Sequence, residues 1–165
     1  MDIKKISRLA MLTAFSVVIG IIESYIPIFS NIIPGLKLGL ANVVILIVLY
    51  KYGFKDAFLV SIIRVIIIGL IRTGIFTIPF FLSLAGATLS IIMMAFFMKI
   101  KIFSIVGVSI VGSFFHSLAQ ILVCFVLINK NIIYYLPYLL LFSIPTGLLV
   151  GVISKKLVKN MSNLI

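Results

Sequence analysis

Few residues in this chain are equipped for chemistry. The 165 residues include three acids, Asp2, Glu23 and Asp56, one histidine, His116, and one cysteine, Cys124. The acids stand far apart in the chain, so they do not form the carboxylate cluster that holds a diphosphate through magnesium. His116 has no second His or Cys nearby to complete a metal site. Spacing supports no Ser-His-Asp or Cys-His arrangement, and no GxxxxGK[ST] loop is present to cradle ATP phosphates. A haem-ligand pair and a cysteine cluster are also missing, so the chain is not expected to carry electrons. An enzyme acting alone is not expected, nor is a cofactor or a metal. What remains is binding chemistry. Glu23, Lys37, Asn42, Arg64, Arg72, His116 and Gln120 stand in or beside apolar runs, where they offer charge and hydrogen bonds to a small molecule.

The elements that position these residues are set by hydropathy. Hydrophobic residues make up 64% of the chain and charged residues 10%, whereas a soluble domain is about 45–50% apolar and about 25% charged. The mean hydropathy is +1.41. The bilayer is the expected solvent. About 20 apolar residues are needed to cross it as a helix, and six candidate spans follow, at residues 6–26, 38–50, 54–71, 80–98, 103–128 and 132–153. The second is short, which suits a helix that is tilted, packed inside the bundle, or extended by the loop before it. Breaks fall at Pro27, Pro34-Gly35 and Gly53, at residues 72–79 and 99–101, and at residues 129–131. The basic start resembles a signal peptide, but no small-x-small cleavage site precedes a mature domain, so the first run reads as a retained span. The expectation is an all-α polytopic membrane protein with six transmembrane helices and a single integral membrane domain over residues 1–165.

With the N-terminus in the cytoplasm, the inner side collects Lys4, Lys5, Arg8, Lys51, Lys55, Lys99, Lys101, Lys155, Lys156 and Lys159. The outer side collects Lys37, Arg72 and Lys130. That bias predicts both termini inside, by the positive-inside rule, and a multi-pass protein of the cell membrane. The same placement at span ends, rather than in a basic stripe, argues against nucleic acid despite the net charge of +11. In this topology Arg64 falls near the midplane. Glu23, Asn42, Arg72, His116 and Gln120 fall in the outer half, beneath a loop at residues 27–37. An ionisable residue inside a span is costly and marks a functional site by default. Structural roles are open to each: Glu23 pairing with Arg72, Arg64 holding backbone carbonyls, and His116 with Gln120, one turn apart, joining helices. Counting Lys37, Arg64, Arg72 and Lys130 against Glu23 leaves a positive surplus, which favours an anionic ligand. Small residues recur four apart at Ala10 and Ala14, Ser109 and Ser113, and Gly147 and Gly151. Such faces allow close helix approach, within the bundle or against another protein. Cys124 reads as a small buried hydrophobe.

The stretch PGLKLGLANVVILIVLYKYGFKDAFLVSIIRVIIIGL, from Pro34 to Leu70, resembles the signature of the Gx transporter family, often labelled heptaprenyl diphosphate synthase component I. The resemblance continues through FLSLAGATLSIIMM from Phe81, VGVSIVGSFFHSLAQILV from Val106 and YYLPYLLLFSIPTGLLVG from Tyr134. That family is in turn similar to the S components of energy-coupling factor (ECF) transporters, small six-helix proteins that capture a vitamin or related micronutrient from outside. The resemblance implies an S-component-like bundle and a vitamin-like small-molecule ligand. It also implies an ECF coupling transmembrane subunit and ATPase subunits as partners, which would account for the missing P-loop. Ala10-Met-Leu-Thr-Ala14 matches the AxxxA face by which such proteins dock onto the coupling subunit. The loop at 27–37 would gate the pocket. The synthase label implies a different role, as a membrane accessory subunit of polyprenyl diphosphate or quinone synthesis. Relatives beside flavin-binding proteins imply a third setting, in extracellular electron transfer.

Overall fold

The computed structural model describes residues 3–25, 39–128 and 130–162. The described chain is helical throughout, with no strand among the described residues. Helix α1 (Ile3–Tyr25) is followed by α2 (Asn42–Tyr52), α3 (Phe54–Ile68), a π-helical turn (Gly69–Thr73), α4 (Ile78–Ile100), α5 (Ile105–Leu127), a 3-10 turn (Lys130–Tyr135) and α6 (Leu136–Ser162). The boundaries have local causes. Gly53, at φ 91°, separates α2 from α3. Pro79 opens the first turn of α4, where its missing N–H costs nothing. Ser104 caps α5 by accepting a hydrogen bond from Gly107 N at 3.3 Å. Pro145 lies within α6, and beside it the Thr146 hydroxyl donates to the carbonyls of Phe142 and Ser143, each at 3.1 Å.

Among the described residues four helical stretches, Ile3–Glu23, Ile78–Ile100, Ile105–Leu127 and Asn131–Asn160, are long and apolar enough to cross a membrane. By length and composition the chain is therefore a multi-pass membrane protein. Six crossings were expected, and the second and third candidates fall short of that standard. Helix α2 has 11 residues and reaches about 16 Å against the ~30 Å of a hydrocarbon core. Helix α3 has 15 residues before its π turn, about 22 Å at 1.5 Å per residue. The apolar run of α2 serves a different purpose: Val43 to Leu49 are all buried. This helix is the centre of the fold, packed by α1, α3 and α6. Hydropathy alone cannot separate such a core helix from a lipid-facing one. Its Val44, Leu46 and Leu49 join Leu9, Val60, Ile91 and Val108 in the main core. Outward surfaces are apolar as well, with Phe15 at 59% and Val126 at 77% exposure, as lipid contact requires.

Two of the small-residue pairs meet each other. A Cβ added to Gly147 would lie 2.7 Å from Ile110 Cα, and one added to Gly151 would lie 2.8 Å from Val106 Cα and 2.9 Å from Ser109 Cβ. Gly147, Gly151, Ser109 and Ser113 thus form the seam between α5 and α6, inside the chain. Ala10 and Ala14 remain exposed on α1. At the start of the bundle Lys5 Nζ pairs with Asp56 at 2.7 Å, tying α1 to the first turn of α3.

Candidate functional site

The chain entering α2 supplies the floor of the site. Gly39 takes φ +74°, a left-handed conformation that L side chains adopt at a cost. This folds 39–42 into a turn, with Asn42 N donating to Gly39 O at 2.8 Å and Val43 N to Leu40 O at 3.0 Å. The turn lies against α1, which satisfies its polar backbone: Glu23 Oε1 accepts from Gly39 N, and Ser16 Oγ donates to Ala41 O at 3.3 Å. Burying a backbone amide without such a partner would cost ~1–3 kcal/mol. Asn42, the first residue of α2, accepts from Arg64 Nη2 at 3.1 Å through its Oδ1.

Arg64 and Glu23 are buried, at 6% and 7% exposure. Both line one cavity of about 50 Å³, together with Gly39, Asn42, Phe80 and His116. That volume holds roughly three to five waters at about 10–15 Å³ each. Glu23 acts on Arg64 through Coulombic attraction, but no salt bridge joins the two. Among the described residues, Asn42 is the one hydrogen-bond acceptor for the guanidinium, which carries five donors. The remaining nitrogens are not sealed in protein, so donor capacity faces the cavity. The His116 ring, also in the lining, lies over Gly86 of α4, where a Cβ would stand 2.7 Å from ring Cε1 and 2.8 Å from Nδ1. Nearby, Ser90 Oγ donates to Gly112 O at 2.8 Å and fixes α4 against α5. The π turn after α3 contributes Gly69 and Thr73 to the cavity lining.

Of the seven residues singled out by sequence, the structure brings Glu23, Asn42, Arg64 and His116 together. Arg72 is exposed on the π turn, its guanidinium 3.9 Å from the centre of the Tyr25 ring. Gln120 is buried on α5 at 5% exposure, outside the cavity lining. Lys37 and the loop at 27–37 lie outside the described residues. Among the described residues the cavity lining carries one cation, Arg64, and one anion, Glu23. Sequence reading missed Gly39, Gly86, Ser83 and Thr73. The signal for Gly39 was its place three residues before Asn42; for Gly86 it was a run of small residues, which carries no direction by itself. Among the described residues no group of three or more His, Cys, Asp or Glu could hold a metal ion.

In comparisons with known proteins, the model of the family described as heptaprenyl diphosphate synthase component I matches residues 12–157. The match includes every residue of the described cavity wall. No curated protein and no solved structure matches the chain.

Proposed function

The chain belongs to the heptaprenyl diphosphate synthase component I family, and on that premise we propose that it is a substrate-binding membrane subunit, similar to the S component of an ECF transporter. It sits in the cell membrane with both termini in the cytoplasm and captures a small molecule from outside. The ligand meets Arg64, Asn42, Glu23 and His116 in the cavity, below the loop at 27–37. Arg72 and Lys37 act at the entrance, and Gln120 supports His116 from the same helix face. The chain is non-catalytic. Release into the cell is driven by ATPase subunits through a coupling transmembrane subunit, which docks on Ala10 and Ala14.

One observation carries this reading. Arg64 is buried, yet among the described residues it has a single hydrogen-bond acceptor, and its free donors face a cavity. Burying an ion costs several kcal/mol unless its partners are complete. A scaffold residue would be expected to close that ledger within the fold; a binding residue leaves it open for ligand. The exposure of Ala10 and Ala14 supports the docking role, since two small side chains on an outward face leave room for another helix.

Native mass spectrometry of the gently purified protein tests the proposal. A bound small molecule that is lost in Arg64→Gln, together with recovery of an ATPase-containing complex that Ala10→Leu/Ala14→Leu abolishes, is the expected result. An empty protein without an ATPase partner overturns it. The family description favours a second reading, a non-catalytic accessory subunit of polyprenyl diphosphate or quinone synthesis. Co-purification of a prenyl or quinone species with a prenyltransferase partner would establish that role instead, and a flavin-binding partner would point to extracellular electron transfer.

A further inference from the structure

We propose that the ligand of the Arg64 cavity is a compact zwitterion, its anionic group on Arg64 and its cationic group on Glu23. The inference rests on the reading of this cavity as a ligand site and goes further by naming the charge class.

Glu23 and Arg64 are each more than nine-tenths buried and line the same cavity, yet they do not close into a salt bridge. Each has spent only part of its capacity. Glu23 Oε1 accepts from Gly39 N, and Arg64 donates from Nη2 to Asn42. Neither residue contributes a sealed polar atom without a partner, so the unspent oxygen and nitrogens open on the cavity. Two opposite buried charges held apart need something polar between them. A simple anion satisfies Arg64 but meets the carboxylate of Glu23 across the cavity. At an effective dielectric of about 20 and a separation of ~5 Å, that repulsion lowers affinity roughly two-hundredfold. A simple cation fails against Arg64 in the same way. A zwitterion satisfies both walls. The other cations that would tilt the balance do not line the described walls: Arg72 is exposed against Tyr25, and no lysine is among the lining residues.

The remaining lining agrees with a small dipolar guest. Asn42, Ser83, Thr73 and His116 are hydrogen-bonding side chains, and Phe80 and Ile68 give an apolar wall. The cavity itself measures about 50 Å³. That is well below a drug-sized pocket of ~300–1,000 Å³ and restricts any guest to a compact molecule.

The test uses the full chain in lipid nanodiscs. Small molecules that co-purify are identified by mass spectrometry, and the protein is titrated with glycine, L-alanine, β-alanine and glycine betaine, and with acetate, propionate and ethylamine as single-charge counterparts. The wild-type protein is expected to bind a zwitterion at least about tenfold tighter than its single-charge counterparts. Glu23→Gln and Arg64→Gln should each weaken that binding by roughly 10- to 150-fold. Glu23→Gln should also turn preference toward the matched anion, a reversal that a merely structural role would not produce. Protection of the Cys124 thiol from a maleimide dye checks that each variant is folded. Binding of a simple anion that Arg64→Gln abolishes and Glu23→Gln leaves unchanged overturns the zwitterion while preserving capture. No co-purifying species and no binding of any probe overturns capture itself, and the zwitterion with it.

Discussion

Two glycines face near-identical steric problems with opposite expected outcomes. An added Cβ would lie 2.7 Å from Ile110 Cα at Gly147, and 2.7 Å from His116 Cε1 at Gly86. Ordinary contact begins at 3.4 Å, so each methyl must gain about 0.7 Å, and what yields differs. At Gly147 it is the backbone of α5, so α5 and α6 must part along their seam. Overpacking of this kind costs ~1–3 kcal/mol, partly offset by about 1 kcal/mol of helix propensity gained by Ala over Gly. At Gly86 it is the end of a side chain, and the His116 ring swings aside at little cost to the fold. Gly147→Ala should therefore lie below Gly86→Ala by ~1–3 kcal/mol, an apparent Tm difference of roughly 2–12 °C for a chain of this size. The single cysteine, Cys124, is buried at 4% exposure, so a thiol-reactive dye reports unfolding directly. Ligand retention should run the other way: lost in Gly86→Ala, because a binding group displaced by most of an ångström no longer meets its target, and kept in folded Gly147→Ala. Equal destabilisation of the two variants, or a Gly86→Ala protein that holds ligand as tightly as wild type, would refute this account of how His116 is seated.

Gly39→Ala should lower stability by about 1–2 kcal/mol, because φ +74° is unfavourable for a residue with a Cβ; dye-monitored melting measures it, and Gly39→Asn should recover part of the loss. Arg72→Gln and Gln120→Ala should retain far more ligand than Arg64→Gln, since neither residue lines the cavity; native mass spectrometry of the three variants side by side decides this. Asp56→Asn should cost no more than ~1 kcal/mol, because Lys5 is more than a third exposed in its pair with Asp56 and such pairs contribute little; a larger drop in the melt would assign the pair a deeper structural role.

Much of this protein was determined by its amino-acid sequence alone. Helices, solvent and family are legible because they follow from local composition: apolar runs broken at Pro27, Gly53 and Lys99 to Lys101 leave the backbone few alternatives in a bilayer. Asn42, closing PGLKLGLAN, and Arg64, within VSIIRVIII, stood among the candidates because polar groups in apolar runs are costly and so conspicuous. The tertiary structure decided the rest. Only packing shows that α2 is a buried half-length helix, since hydropathy reads burial in protein and burial in lipid alike. The π turn at 69–73, which leaves Arg72 exposed and puts Thr73 in the cavity lining, depends on hydrogen-bond register that no residue type announces. Small-xxx-small spacing could not say that Gly147 and Gly151 meet α5 while Ala10 and Ala14 stay exposed among the described residues, because spacing defines a face and not its neighbour. Counting charges along the chain produced a positive surplus without saying which of them share a space; among the described residues the cavity sets one buried carboxylate against one buried guanidinium, and Lys37 lies outside them. Charge balance at a site is a property of which side chains share a space, and that is fixed only when the helices are packed.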